Sequence, residues 1–125
     1  MSSGKQSKPG LKLRFVLPDG SWLGPGKADL LEQIRDTGSI AAAGRAMSMS
    51  YKRAWMLVEE MNAHFAQPLV ARTRGGSAGG GAELTETGSR VLSLYRRIET
   101  LAAESGSDEI AELQGMLSPD MFTEK

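Results

Sequence analysis

Two short clusters hold the side chains best suited to recognition chemistry. The first is Ser50-Tyr51-Lys52-Arg53, a hydroxyl, a phenol, an ammonium and a guanidinium in four consecutive positions. At the start of a helix, Ser50 and the unpaired amides behind it can hold a phosphate. Lys52 or Arg53 can reach guanine O6 and N7, and Tyr51 can donate to a phosphate or pack on a thymine methyl. The second cluster is Arg72 and Arg74, which lead into Gly75, Gly76, Gly79, Gly80 and Gly81. Glycines let a loop take positive φ and bring backbone and arginines close to a phosphate chain or a minor groove. A phosphate-binding nucleotide loop would need Gly-Lys-Ser/Thr and then a helix; this loop has neither.

Catalytic chemistry has little to work with. The 125 residues contain no cysteine, which excludes disulfides, thiolate nucleophiles and Cys-ligated metals. The one histidine, His64, lies beside Phe65 near a helix end, where a structural or solvated role suits it. Glu59 and Glu60 are adjacent on a helix and diverge by about 100°, so they do not pair for acid–base work. No catalytic residue, metal ligand or cofactor site is expected.

Fifteen basic residues balance fifteen acidic ones, but unevenly. Lys5, Lys8, Lys12 and Arg14 open the chain with no acid among them, and seven acids follow from Glu99 onward against Lys125 alone. Between Arg45 and Arg90, six basic residues (Arg45, Lys52, Arg53, Arg72, Arg74 and Arg90) outnumber four acids (Glu59, Glu60, Glu83 and Glu86). A neutral chain can therefore present a basic patch if its fold gathers those six. No apolar run is long enough to span a bilayer and the first ten residues have no signal core, so a cytoplasmic protein without membrane contact is expected.

The elements that must position the two clusters follow from periodicity and caps. Residues 1–10 read as a flexible arm. Leu11–Leu17 alternates like a half-buried strand, Pro18-Asp19-Gly20-Ser21 turns, and Trp22-Leu23 returns. Pro25 opens a helix with Leu30, Leu31 and Ile34 on one face, ending near Gly38. Ser39 caps a helix over Ile40–Met47, and Ser50 caps another reaching Phe65, with Ala54, Leu57 or Val58, Met61 and Phe65 turned to the core. Leu69–Thr73 and Ala82–Thr85 make strands around the glycine loop. A long helix starts at Thr85 or Thr87 and ends at Gly106; Asp108–Leu117 can make one more short helix before a frayed tail.

This is the winged-helix order, mainly α with a small β component. In a helix-turn-helix the second helix crosses the first at about 100°, which needs a small residue at the crossing. Gly44 supplies it, Met47 and Met49 bracket the turn, and Ser48 stands where glycine is more usual. The free N-terminal part of the second helix then presents Ser50, Tyr51, Lys52, Trp55 and Met56, with Arg53 at its flank.

Asp36–Asn62, with Thr37-Gly38-Ser39-Ile40, Ser50-Tyr51-Lys52, Ala54-Trp55 and Glu60-Met61-Asn62, resembles the N-terminal DNA-binding domain of ModE-type molybdate-responsive regulators. Val70-Ala71-Arg72, the doubled glycines, Leu84-Thr85 and Gly88 match its wing, and the LysR-type winged helix is similar more loosely. The resemblance covers roughly Leu11 to Ala103. It implies a bacterial, dimeric transcriptional regulator that binds operator DNA through recognition helix 50–65 and wing 69–85. The DNA contacts it implies fall on Ser50, Tyr51, Lys52 and Arg53, with Arg72 and Arg74 from the wing. Members of that family continue into oxyanion-binding domains, and this chain stops near where those would begin, so molybdate sensing is not carried over.

Residues 11–106 are expected to form the winged-helix domain including a C-terminal dimerisation helix, and 107–125 a short acidic tail. Val91, Leu94, Tyr95, Ile98, Leu101 and Ala102 follow the three-and-four step of a paired-helix seam, with Leu92 off it. A homodimer through this helix, with Leu30, Leu31 and Ile34 nearby, would set two recognition helices about 34 Å apart. The alternative is a winged helix used as a protein–protein module, with Tyr51, Trp55 and Met56 under the partner, or as the partner of a separate ligand-sensing protein.

Overall fold

The computed structural model describes residues 10–73 and 81–122. Its elements are β1 (Phe15–Val16), β2 (Trp22–Leu23), α1 (Pro25–Thr37), α2 (Ile40–Ala46), α3 (Tyr51–His64), β3 (Val70–Thr73), β4 (Gly81–Leu84), α4 (Glu86–Ser105) and α5 (Ser107–Gly115), with a short 3-10 turn at Pro119–Phe122. Two antiparallel hairpins, β1–β2 and β3–β4, flank the helices. This is a winged helix-turn-helix.

The caps work by side-chain chemistry. The Ser39 hydroxyl accepts from the Ala42 amide at 3.0 Å, Ser50 from Arg53 at 3.0 Å, and Thr85 from Gly88 at 2.9 Å. Gly38 ends α1 at φ +72°, a left-handed conformation for which glycine pays no Cβ clash. Its carbonyl then accepts from the Ala82 amide at 2.9 Å, tying the end of α1 to the wing.

The core lies where α1, α2 and α3 meet under the β3–β4 hairpin. Leu30, Leu31 and Ile34 of α1, Ala43 of α2, Ala54, Val58 and Met61 of α3, and Leu69 before β3 are all but inaccessible. Burying each of the larger aliphatic side chains contributes about 1.5–3 kcal/mol. Leu30, Leu31 and Ile34 therefore belong to the interior, which corrects their expected place beside a dimer seam: they are sealed by the chain's own helices.

The seam on α4 also differs from the expected one. Leu92, placed off it by the repeat, is buried, and so is Tyr95, whose hydroxyl donates to the Leu13 carbonyl at 2.7 Å. Leu94, Ile98 and Leu101 remain exposed, by 45%, 50% and 44%. The stripe is split: Leu92 and Tyr95, three positions apart and so on one face, turn into the core, and the other three form an outer ridge. Arg96, which the repeat does not single out, clamps α4 to α1. Its guanidinium donates to Asp29 at 2.7 Å, to Glu32 at 2.8 Å and to Glu99 at 3.1 Å. Partial burial works against its charge, but the three carboxylates outweigh it and hold its pKa above the ordinary arginine value.

The expected strand over Leu11–Leu17 shrinks to Phe15–Val16, and its alternation does not hold: Leu11 and Phe15 are exposed, and Leu13 and Leu17 half-buried. Among the described residues its only strand neighbour is β2, which pairs over two positions, Phe15 with Leu23 and Val16 with Trp22. Before that, the Leu13 carbonyl is already taken by Tyr95.

Candidate nucleic-acid interface

The site is built on the crossing of α2 and α3. A Cβ on Gly44 would stand 3.1 Å from the Ala54 Cβ and 3.4 Å from the Met49 carbonyl oxygen, so only glycine sits there without displacing its neighbours. The turn closes with the Met49 amide donating to the Gly44 carbonyl at 2.9 Å. Ser48 takes φ +59°, the left-handed residue the turn needs. The helix-turn-helix demands read from sequence are therefore met at Gly44, Ser48, Met49 and Ala54.

That crossing leaves the start of α3 free. Ser50, Tyr51, Lys52 and Arg53 are all exposed, and the first turn carries no acid. Ser50 Oγ satisfies the Arg53 amide and the Ser50 carbonyl that of Ala54, which leaves the amides of Tyr51 and Lys52 as the orphan donors of the helix. The helix dipole adds partial positive charge at the same end. Arg53 and Met56 line a shallow cleft of about 540 Å³ against Trp22 and Lys27, where Lys27 pairs with Glu60 at 3.2 Å.

The wing strands are fixed to α3 by a residue for which the sequence suggested no role. Asn62 accepts from the Leu69 and Val70 amides at 2.8 and 3.1 Å and donates to the Val70 carbonyl at 3.1 Å. One side chain thus performs the pairing that a neighbouring strand would give the start of β3. Its signal in the sequence is slight: an amide seven residues before a buried leucine, across Pro68. At the other end, Thr85 donates to the Pro68 carbonyl at 2.6 Å, and Gly88 lets α4 lie against the Leu69 carbonyl, where a Cβ would collide.

Arg72 is exposed on β3, opposite Ala82, and its guanidinium lies 4.4 Å from the centre of the Trp55 ring. This brings the wing strand against α3 one turn beyond Tyr51. Trp55, expected on the free surface, is instead half-buried: one side packs on the core and Arg72 lies over the ring. Arg74 and Gly75–Gly80 lie outside the described residues, so of the wing arginines only Arg72 is described. Arg45 and Arg90 are exposed on α2 and α4.

His64 lies away from the free end of α3. Its Nε2 is 3.2 Å from Asp19, whose pKa is lowered chiefly by hydrogen bonds from the Ser21 hydroxyl and amide. Among the described residues, no cluster of three His, Asp or Glu side chains could hold a metal ion, and no helix is long and apolar enough to cross a membrane.

Comparison with known proteins agrees with this geometry. ModE of Azotobacter vinelandii, a molybdenum transport protein, is 39% identical over 93 residues, 74% of this chain and 34% of that one. The transcriptional regulator ModE of Yersinia pestis is 37% identical over 97 residues, 75% of this chain and 37% of its own. The chain thus spans about a third of the length of these relatives. Among solved structures, the DNA-binding domain of CbnR in complex with DNA superposes with a TM-score of 0.56 at 25% identity, over 70% of this chain and 95% of that one. Residues 27–89, which run from α1 through the wing into α4, match the lysR family of bacterial regulatory helix-turn-helix proteins. The chain belongs to that family.

Proposed function

We propose that the protein is a sequence-specific DNA-binding transcriptional regulator that reads operator DNA as a homodimer. The observation that carries this reading is the exposed, acid-free start of α3, Ser50 to Arg53, held clear of the core by the Gly44 crossing. Its relatives include a transcriptional regulator, and the matching CbnR domain was solved bound to DNA. Ser50 and the Tyr51 and Lys52 amides anchor a phosphate, Lys52 and Arg53 reach base edges, and Arg72 contacts the backbone beside them, with Arg74 assigned the same work. The DNA-binding unit is 11–106, and 107–125 is an acidic appendage. The outer ridge of Leu94, Ile98 and Leu101 supports pairing of two α4 helices.

The decisive experiment is selection of bound duplexes from a random pool. A palindromic consensus establishes function and two-fold symmetry together, and recovery of no consensus sinks the reading. On the selected duplex, affinity should fall by roughly 0.9 log unit per log unit of salt for each phosphate contact. Lys52→Ala is expected either to relax specificity at one base pair or to lower that slope by about one contact, as measured by titration at several salt concentrations.

A further inference from the structure

Arg72 and Trp55 form a contact that neither the winged-helix order nor the cap pattern requires. The guanidinium of Arg72, on an exposed edge position of β3, lies 4.4 Å from the centre of the Trp55 ring, and Trp55 is packed on its other side against the core. An arginine on a two-stranded wing ordinarily explores many rotamers, and a bound phosphate or base must stop that motion. Stacking on an aromatic face stops it beforehand. The N–H donors of Arg72 are engaged by no hydrogen bond to another described residue, so they remain available to a ligand. The base of the stack is firm: Trp55 sits between Ala54 and Val58, both fully buried, and Asn62 on the same helix holds the start of β3 by three hydrogen bonds. Strand and helix are thus locked together at the start of β3, two residues before Arg72.

We infer that Trp55 is a positioning residue for DNA recognition: it holds the Arg72 guanidinium pre-oriented beside the recognition helix, so that wing and helix engage the duplex as one surface. This rests on the DNA-binding reading above. Trp55 acts through Arg72 and does not itself touch DNA.

The test is a double-mutant cycle on the duplex selected by the native protein, using Trp55→Leu, Arg72→Gln and the pair together. Trp55→Leu should weaken binding about fivefold, the size of a partly exposed cation–π contact. In the Arg72→Gln background the same change should cost less than twofold. Trp55→Phe, which keeps a ring under the guanidinium, should restore most of the affinity. Arg72→Lys, which keeps the charge but not the planar guanidinium, should lose about as much as Trp55→Leu while retaining the native salt slope. Thermal unfolding of each variant separates misfolding from lost recognition, and if Trp55→Leu melts early, the Trp55→Phe and Arg72→Lys arms carry the test. Losses that multiply in the double variant would mean Trp55 meets DNA on its own account, and the inference would be wrong while the DNA-binding reading stood. Native protein that selects no duplex removes both.

Discussion

Single side chains here join elements that the chain separates. Asn62 is the clearest case, because its one amide satisfies two backbone donors and one acceptor at the start of the wing. Asn62→Ala strands those groups in a partly buried place, where each unsatisfied group costs about 1–3 kcal/mol. The expected outcome is a loss of about 2–4 kcal/mol in chemical denaturation, with DNA affinity falling further than stability explains. Asn62→Asp should recover only part of the loss, since a carboxylate still accepts from the Leu69 and Val70 amides but cannot donate to the Val70 carbonyl. Ser50, Tyr51, Lys52 and Arg53 differ from Asn62 in kind. They are exposed and none joins an element to another; replacing Tyr51, Lys52 or Arg53 should alter binding while leaving the unfolding midpoint nearly unchanged, whereas Ser50→Ala also removes the cap of α3 and should cost about 1 kcal/mol.

At the scale of elements, two close approaches govern the geometry. The turn between α2 and α3 uses Ser48 at φ +59°, where a Cβ costs about 1–2 kcal/mol, against about 0.5–1 kcal/mol of extra chain entropy for glycine. Ser48→Gly should therefore raise stability by about 0.5 kcal/mol, seen as a small upward shift in the denaturant midpoint, with binding intact. The start of α4 lies against the carbonyl of Leu69 at Gly88. Backbone, not a movable side chain, is what a Cβ meets there. Gly88→Ala should cost about 1–3 kcal/mol or abolish folding, and crude lysate solubility followed by thermal melting would register either result. A melting temperature equal to that of the native protein would mean that α4 can shift freely at this point.

For the molecule as a whole, the question is how α4 divides its apolar surface. Leu92 and Tyr95 close the protomer, and Arg96 pins the same side of the helix to Asp29 and Glu32 on α1. Leu94, Ile98 and Leu101 face outward at steps of four and three, the spacing that lets two helices interlock. Ile98→Glu places a charge in the middle of that ridge without touching the core. With two α4 helices paired as proposed, it should lower the mass seen by light scattering at micromolar concentration from that of a dimer to that of a monomer and weaken operator binding at least tenfold. Unchanged mass would count against pairing through this ridge.

The helices, their caps and the turn between α2 and α3 could be read from the chain because they rest on local rules. Ser39, Ser50 and Thr85 each cap the amide three residues on, Gly38 takes the left-handed conformation that ends α1, and Gly44 stands where a side chain has little room. The exposure of Ser50 to Arg53 followed from the same register. What the sequence could not determine was where one element meets another. Leu30, Leu31 and Ile34 look alike whether they face a partner or the interior. A three-and-four repeat on α4 does not say which of its rows turns inward. Asn62 with β3, Arg96 with α1 and Arg72 with Trp55 are pairs separated by many residues, and no periodicity along the chain links them. Local backbone preferences act over a few residues and leave a trace in their order. Packing acts through space, so only the folded arrangement decided which apolar rows were sealed and which cation came to rest on which ring.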